Sequence, residues 1–289
     1  MPSTQKSFKD SRNELRDKLT EIYSKEESES IARLAIEDIL NKTGIEYIKS
    51  LELYPNDRQL SQLKKYTQEL LEYKPIQYIT KHTEFYGLSF NVNPDVLIPR
   101  QETEELVSII IKDIEKSNNL NILEIGTGSG CIITSLAKIL GNKNSYYATD
   151  ISKKTLSIAK TNAAKHNTNI TFLEHDILSK VKIPVDIKID VLISNPPYVT
   201  NKEKIQILPN VLDFEPAIAL FVPDDNPLLF YKSIAEHSKL ILNTKAMVYL
   251  EINELFGVET ANIFEDCGMQ TTIIKDFAKK NRFIFAKFS

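Results

Sequence analysis

The sequence contains two segments whose residue types suit methyl transfer to a planar nitrogen. One is Asn-Pro-Pro-Tyr at residues 195–198, directly after the apolar run 189–194. The other is Gly-Thr-Gly-Ser-Gly at residues 126–130, directly after the apolar run 121–125. Open α/β sheets bind their ligands at the carboxyl ends of such strands. We therefore interpret the two segments as the acceptor half and the donor half of one site.

The acceptor half is predicted from the effect of two prolines on a strand. Proline has no N–H for a sheet and forces the preceding residue into an extended conformation, so Asn195 is held at the strand end. Its side-chain carbonyl and the carbonyl of Pro196, expected to be free because no strand follows, can accept hydrogen bonds from both N–H groups of an –NH2 group. This favours the tetrahedral nitrogen of the transition state. Tyr198 is expected to offer an aromatic face to the substrate, and the alternative for the whole motif is a plain strand exit.

The donor half is predicted from glycines, which are scarce in this chain. Three of the 8 glycines, Gly126, Gly128 and Gly130, fall in one turn between a strand and a helix. A dinucleotide fingerprint would next need glycine where Cys131 stands, so a pyrophosphate is the weaker prediction. A donor without phosphates, such as S-adenosylmethionine, needs close backbone contact and less anion binding.

Acidic residues at the next two strand ends extend the donor prediction. Asp150 lies about 20 residues past the turn, where a carboxylate can accept from both ribose hydroxyls, although it can instead cap the helix that begins near Ser152. Asp176 can accept from an adenine amine, and Ile177 can pack on the ring. Glu124 is a candidate buried carboxylate near the amino end of the donor, with binding of turn N–H groups alone as the alternative.

Two further positions have open interpretations. Arg100 can meet a carboxylate of the donor or substrate, or it can form a surface salt bridge. Glu215 and Pro216 can close over the acceptor pocket, or they can form a plain turn.

Composition narrows the class of protein. The 289 residues, 42% of them hydrophobic, allow one large or two modest domains with a full core. The net charge of −3 argues against a protein that binds bare nucleic acid. The two cysteines form no disulfide framework, and the four histidines lack metal-ligand spacing. No apolar run approaches the ~18 residues of a membrane span, and the polar amino terminus has no signal-peptide core. We expect a cytoplasmic, monomeric protein without a metal, a membrane or a direct nucleic-acid partner.

The chain divides by pattern into three regions. Residues 1–74 show apolar spacings of three and four and predict a small bundle of about four helices, either a scaffold or a docking surface for a macromolecular substrate. Residues 75–95 are rich in aromatic and β-branched residues and predict a β-hairpin linker. Residues 96–289 predict an α/β domain in which right-handed crossovers give a doubly wound parallel sheet.

Seven strands are expected in that sheet, at residues 121–125, 145–149, 170–174, 188–194, 246–252, 271–275 and 282–288. The expected helices lie at about 102–115, 129–140, 152–166, 226–243 and 254–266, and residues 199–211 are expected to form a loop.

Five blocks of the sequence resemble the release factor glutamine methyltransferases, the HemK/PrmC family, in that family's order. They are P-I-Q-Y-I-T-K-H-T-E-F-Y-G-L, L-I-P-R-Q-E-T-E, L-E-I-G-T-G-S-G, L-I-S-N-P-P-Y and F-E-P-A-I-A-L. The resemblance covers the chain well from about residue 75. It implies a Rossmann-like class I methyltransferase fold and an enzyme that methylates the glutamine side-chain nitrogen in the Gly-Gly-Gln motif of class I peptide chain release factors.

The resemblance also implies residue roles. S-adenosyl-L-methionine would be the donor and S-adenosyl-L-homocysteine the product. The residues expected to bind the donor are Gly126, Thr127, Gly128, Ser129, Gly130, Asp150, Asp176, Ile177 and Asn195. The residues expected to hold the glutamine are Asn195, Pro196, Pro197 and Tyr198, of which Asn195, Pro196 and Tyr198 would take part in catalysis.

Three positions depart from the family pattern. Ile177 stands where many members have an aromatic residue, so packing on adenine is expected to be looser. Residues 242–247 lack the usual glycines, and Glu251-Ile-Asn253 stands where Glu-Ile-Gly is common. We expect the last two departures to lie far from the methyl transfer and to affect stability at most.

Two other functions fit the same segments. A methyltransferase acting on an exocyclic amine of a DNA or RNA base has the same acceptor chemistry but usually needs a reading domain and a basic channel. A catalytically inactive binding module would keep the fold and bind the donor without transfer.

Overall fold

The computed structural model describes residues 6–288. The chain forms two compact units. The first contains the chain up to Lys81 together with residues 208–214, and the second contains residues 82–207 and the chain from Glu215 onward.

The first unit is helical, as predicted. Four helices are those that the spacing of apolar residues predicts: α1 (Phe8–Leu19), α2 (Lys25–Leu40), α3 (Gly44–Ser50) and α4 (Asp57–Leu71). Capping boxes begin α1 at Ser7 and α4 at Asn56, where the cap side chain and the residue three positions later satisfy each other's backbone N–H groups. The apolar stripes meet in a core that includes the fully buried Leu19, Ile36 and Leu70.

The β-hairpin begins later than the predicted residue 75. Ile76–Thr80 is a short helix, α5, whose Ile76 and Ile79 are buried in the core of the first unit. This packing overrides the strand-like composition of the segment. The hairpin consists of β1 (His82–Phe85) and β2 (Leu88–Asn91), and its two turn residues both have positive φ, as a type I′ turn requires. The domain limits at residues 74 and 95 remain predictions.

The second unit is built on a sheet of seven strands, which confirms the predicted fold. Its strands are β3 (Asn121–Ile125), β4 (Ser145–Asp150), β5 (Thr171–Glu174), β6 (Ile189–Ser194), β9 (Leu242–Glu251), β10 (Met269–Lys275) and β11 (Asn281–Phe288). Their order across the sheet is β10-β11-β9-β6-β3-β4-β5. The five strands from β9 to β5 are parallel.

The sheet departs from the all-parallel expectation at one edge. β11 runs antiparallel to both of its neighbours, β9 and β10. Only residues 276–280 join β10 to β11, and a parallel connection needs a crossover of a dozen or more residues.

Five helices that lie between the strands in the sequence pack on the sheet. They are α6 (Gln101–Ile114), α7 (Cys131–Leu140), α8 (Lys153–Lys165), α10 (Leu229–Ile241) and α11 (Gly257–Glu265). β6 lies in the middle of the sheet, and its Val191, Leu192 and Ile193 are fully buried. The central strands therefore have apolar residues on both faces, as parallel strands covered by helices require.

The segment after β6 is more ordered than the predicted loop. It contains β7 (Val199–Thr200), a 3-10 helix (Asn201–Gln206) and the short helix α9 (Pro209–Leu212). β7 pairs with β8 (Phe221–Val222), so the expectation that no strand follows Pro196 is wrong. Two-residue strands carry no periodicity by which a sequence could reveal them.

No helix within residues 6–288 combines the length and the apolar composition needed to cross a bilayer. The same residues include no group of three or more His, Cys, Asp or Glu side chains arranged to hold a metal ion.

Candidate functional site

A cavity of about 250 Å³ opens at the carboxyl ends of the parallel strands. It brings together ten of the predicted site residues. These are Gly126, Thr127, Gly128, Ser129, Asp150, Asp176, Ile177, Asn195, Pro196 and Pro197. Gly130 and Tyr198 are the two predicted site residues that are not among the lining residues.

The turn after β3 exposes its backbone to the cavity at two glycines. Gly126 and Gly128 have φ of +71° and +55°, which L side chains rarely adopt, and a Cβ at either position would meet no atom within 4 Å. The N–H groups of Gly126 and Thr127 both donate to the carbonyl of Thr149, which fixes the turn against β4. A ligand in the cavity can therefore approach this backbone closely.

Gly130 has a different role from the other two glycines. It precedes α7 with φ of +78°, and a Cβ there would lie 3.1 Å from the Cβ of Ala159 in α8. The absence of a side chain at Gly130 thus permits close packing of α7 on α8.

Asp150 lies at the end of β4 and joins the turn to α8. Its two carboxylate oxygens accept from the N–H of Gly128 at 3.1 Å and the N–H of Ser152 at 3.0 Å. The helix cap proposed for Asp150 is instead Ser152, whose side chain accepts from the N–H of Thr155. Burial raises the pKa of Asp150, and its backbone hydrogen bonds oppose that shift. Each oxygen keeps a lone pair for a further donor.

The segment after β5 supplies Asp176 and Ile177. Asp176 accepts from the N–H of Leu178, and the carbonyl of Ile177 accepts from the hydroxyl of Ser233 on α10. The same helix contributes Phe230 to the cavity lining, an aromatic residue that sequence reasoning missed because nothing in its helical pattern distinguishes it from a core residue.

Glu124 is buried beneath the glycine turn. One of its oxygens accepts from the hydroxyl of Thr127 at 2.5 Å and from the N–H of Ile133 at 3.3 Å. Burial raises the pKa of Glu124 to about 8, although both hydrogen bonds lower it. Glu124 lines the cavity, and its two hydrogen bonds support the glycine turn and the first residues of α7.

The acceptor half centres on Asn195, directly after β6. Its side-chain N–H donates to the hydroxyl of Thr103 at 3.3 Å. Within residues 6–288, neither the side-chain oxygen of Asn195 nor the carbonyl of Pro196 accepts a hydrogen bond. The geometry thus leaves two carbonyl acceptors in the cavity that the glycine turn also lines, an arrangement that can accept both N–H groups of a planar –NH2 group.

Tyr198 points away from the cavity. Its hydroxyl donates to Glu251 at 3.1 Å, and its ring packs against the core of the second unit. Burial and the neighbouring carboxylate both raise the pKa of the Tyr198 hydroxyl. This geometry gives no support to the expectation that Tyr198 offers its aromatic face to the substrate.

The departures at residues 251–253 do not lie far from the acceptor motif, so that expectation is wrong. Asn253 donates from its side chain to the carbonyl of Tyr198 at 3.1 Å and to the carboxylate of Glu203. Glu251 contacts Tyr198 directly. The parallel pairing of β6 with β9 brings the two segments together, and sequence separation conceals this.

Arg100 and Glu215 form an ion pair with each other at 2.6 Å. The side chain of Glu215 is 1% exposed and that of Arg100 is 33% exposed, so the pair is partly buried. Glu215 also accepts from the N–H of Ile98 at 3.1 Å. The pair ties together two segments that line the cavity, one through Pro99 and Arg100 and the other through Pro216.

This chain is similar in sequence to known methyltransferases. Residues 100–213 match the model of the methyltransferase small domain, and residues 10–80 match that of the PrmC N-terminal domain. A release factor glutamine methyltransferase from Flavobacterium psychrophilum is 42% identical over 274 residues, which cover 93% of this chain and 95% of that protein. The protein of the same name from Bacteroides thetaiotaomicron is 38% identical over 273 residues, covering 94% and 97%.

Among solved structures, a methyltransferase from Pyrococcus furiosus superposes with a TM-score of 0.51 at 19% identity, covering 78% of this chain and 98% of that one. At this identity the likeness concerns the fold alone. Together with the matched methyltransferase domain it confirms the expected class I methyltransferase fold.

Proposed function

We propose, from the premise that this chain belongs to the release factor glutamine methyltransferase family, that it methylates the side-chain amide nitrogen of the glutamine in the Gly-Gly-Gln motif of class I peptide chain release factors. The methyl donor in this proposal is S-adenosylmethionine. The observation that carries the proposal is the pair of carbonyls at Asn195 and Pro196 that accept no hydrogen bond from residues 6–288 and lie in the same cavity as the glycine turn.

The donor half has the features that S-adenosylmethionine needs. The open backbone at Gly126 and Gly128 leaves room for a group without phosphates. The side chains that line the cavity include the carboxylates of Glu124, Asp150 and Asp176, and the charge of Arg100, which also lines it, is paired with Glu215. Asp150 would hold the ribose hydroxyls, Asp176 the adenine amine, and Ile177 the face of the ring. When bound, this donor supplies a methyl group activated on a sulfonium.

The acceptor half would orient the substrate amide. The Asn195 side-chain oxygen and the Pro196 carbonyl each accept one N–H of the glutamine, which directs the nitrogen lone pair away from them. Both hydrogen bonds strengthen as positive charge develops on nitrogen, so their effect is concentrated in the transition state. Positioning of the two reactants supplies much of the remaining acceleration.

Peptide mapping by mass spectrometry tests this proposal. The purified chain is incubated with S-adenosylmethionine and a class I release factor, and the factor is then digested. We expect one added methyl on the glutamine of Gly-Gly-Gln, lost with Asn195→Ala and kept with Asn118→Ala, an exposed loop control. Transfer to DNA or RNA without methylation of the factor would contradict the proposal.

A further inference from the structure

Glu251 lies where three segments of the second unit converge. It is the last residue of β9, and the pairing of Ser194 with Leu250 brings it level with Asn195, the residue after β6. Thr103, in the first turn of α6, reaches the same point. Glu251 is 2% exposed and Thr103 is 3% exposed, so both polar side chains are buried.

Both carboxylate oxygens of Glu251 are used. One accepts from the hydroxyl of Tyr198 at 3.1 Å, and the other accepts from the hydroxyl of Thr103 at 2.7 Å. The Thr103 oxygen in turn accepts from the side-chain N–H of Asn195 at 3.3 Å. A continuous chain of hydrogen bonds therefore runs from Glu251 through Thr103 to Asn195.

The direction in which these hydrogen bonds are donated determines how the Asn195 amide is oriented. A hydroxyl has one hydrogen, and the Thr103 hydroxyl donates it to Glu251, so its oxygen can only accept from Asn195. The two ends of an amide are nearly equal in size, and hydrogen bonding decides which end faces which neighbour. The NH2 end of Asn195 is thus turned toward Thr103, which leaves the carbonyl end for the cavity.

We infer that Glu251 and Thr103 are positioning residues that fix the carbonyl end of Asn195 toward the substrate nitrogen. Without Glu251 as an acceptor, the Thr103 hydroxyl is free to rotate and donate to the Asn195 carbonyl. The amide can then turn over and present its NH2 group to the N–H groups of the substrate, a pairing of donors with donors. The inference rests on the proposed function, because it deepens the role that the proposal gives to Asn195.

The first test compares Thr103→Val with Thr103→Ser in single-turnover methyl transfer to a release factor at saturating donor. Loss of one hydrogen bond changes an orientation equilibrium about 5- to 10-fold, so the correctly turned fraction of Asn195 falls from about nine-tenths to about one half. We expect Thr103→Val to lower the rate constant about twofold with donor affinity unchanged, and Thr103→Ser to restore it. A rate for Thr103→Val equal to that of the wild type would overturn the inference.

Thr260→Val is the matched control for the loss of a buried hydroxyl. Thr260 is fully buried, and its hydroxyl donates to the carbonyl of Phe256 at 2.8 Å. Neither residue is among those that line the cavity. We expect it to leave the rate constant at the wild-type value. An equal loss in this variant would show that the effect of Thr103→Val is a general loss of stability.

A double-mutant cycle tests whether Glu251 acts through Thr103. We expect Thr103→Val to lower the rate constant less in a Glu251→Met background than in the wild type, because methionine offers no oxygen acceptor and the orientation of the Thr103 hydroxyl is already lost there. Additive losses would contradict the relay.

An NMR measurement tests the orientation without any substrate. In protein labelled with ¹⁵N-asparagine, the Asn195 side-chain amide signals are assigned by their absence in Asn195→Ala. We expect Thr103→Val and Glu251→Met, which removes the acceptor for the Thr103 hydroxyl, to shift them and Thr103→Ser to leave them near their wild-type positions. Signals that do not shift in these variants would overturn the inference. If the signals shift as expected but the wild-type protein does not methylate a release factor, the proposed function alone would be contradicted.

Discussion

The donor half and the acceptor half of the cavity are stabilised in different ways. The carboxylate of Asp150 accepts from backbone groups 22 and 2 residues away, at Gly128 and Ser152. The side chain of Asn195 donates to Thr103, 92 residues away in the sequence. Thr103 in turn donates to Glu251, 148 residues away from it. The donor half is thus set by local backbone geometry, and the acceptor half by side chains that the fold brings together.

Because the two halves are held by different contacts, we expect substitutions in the donor half to weaken mainly donor binding and substitutions in the acceptor half to slow mainly methyl transfer. Asn195→Ala removes a carbonyl acceptor without touching the glycine turn. We expect the rate constant for methyl transfer to fall by about 100- to 1000-fold, the size of effect seen when one preorganised polar group is lost. Donor binding, measured by calorimetry, should remain measurable and should fall much less than the rate constant. An equal loss of donor affinity would show that the halves are not independent.

Asp150→Ala is the reciprocal test. It removes the carboxylate assigned to the ribose, and hydrogen bonds to a charged group contribute about 1.5 to 3 kcal/mol. We expect the Kd for the donor to rise about 10- to 100-fold, with a much smaller change in the rate constant at saturating donor. Donor affinity within error of the wild type would leave Asp150 with only its role in holding the turn.

The glycine turn itself divides into a part that faces the ligand and a part that packs. Gly130→Ala places a methyl group 3.1 Å from Ala159, whereas Gly126→Ala places one in open space. Both variants incur strain from positive φ, but only Gly130→Ala adds a close contact. We therefore expect Gly130→Ala to lower the free energy of unfolding by about 1 to 3 kcal/mol more than Gly126→Ala. Denaturant unfolding measures this difference, and donor affinity should fall more with Gly126→Ala per unit of stability lost. Equal destabilisation would remove the distinction.

The prediction for Glu124 concerns the pH dependence of stability and not a rate or an affinity. Its pKa in the folded protein is about 8, against 4.5 for an unperturbed glutamate. The folded protein therefore keeps a proton that the unfolded chain loses, and the contribution of Glu124 to the free energy of unfolding falls as pH rises from about 4.5 to 8.

Urea unfolding at several pH values measures this contribution against Glu124→Gln, which cannot ionise. We expect the wild type to lose stability relative to the variant across that range, by at most about 1.4 kcal/mol per pH unit. Parallel curves would show that Glu124 is ionised in the folded protein throughout.

The same contrast explains what the sequence predicted and what it did not. Hydrophobic runs and turn chemistry are local, and they were sufficient to predict the seven strands, most of the helices and the presence at one cavity of residues between Gly126 and Ile177. The donor-binding role of those residues stays a prediction. The inward direction of Tyr198 and the contact of Asn253 with it depend on pairing between β6 and β9, which no local pattern specifies. Helix α5 was missed because burial in the helical core outweighs its strand-like composition.

The most direct test of the account is a crystal structure with S-adenosylhomocysteine and a release factor, or a glutamine amide, bound in the cavity. We expect the amide nitrogen to lie within hydrogen-bonding distance, about 2.7 to 3.2 Å, of both the Asn195 side-chain oxygen and the Pro196 carbonyl. We also expect the Asn195 NH2 group to stay on Thr103. An amide bound with its oxygen toward Asn195, or held elsewhere in the cavity, would contradict the account.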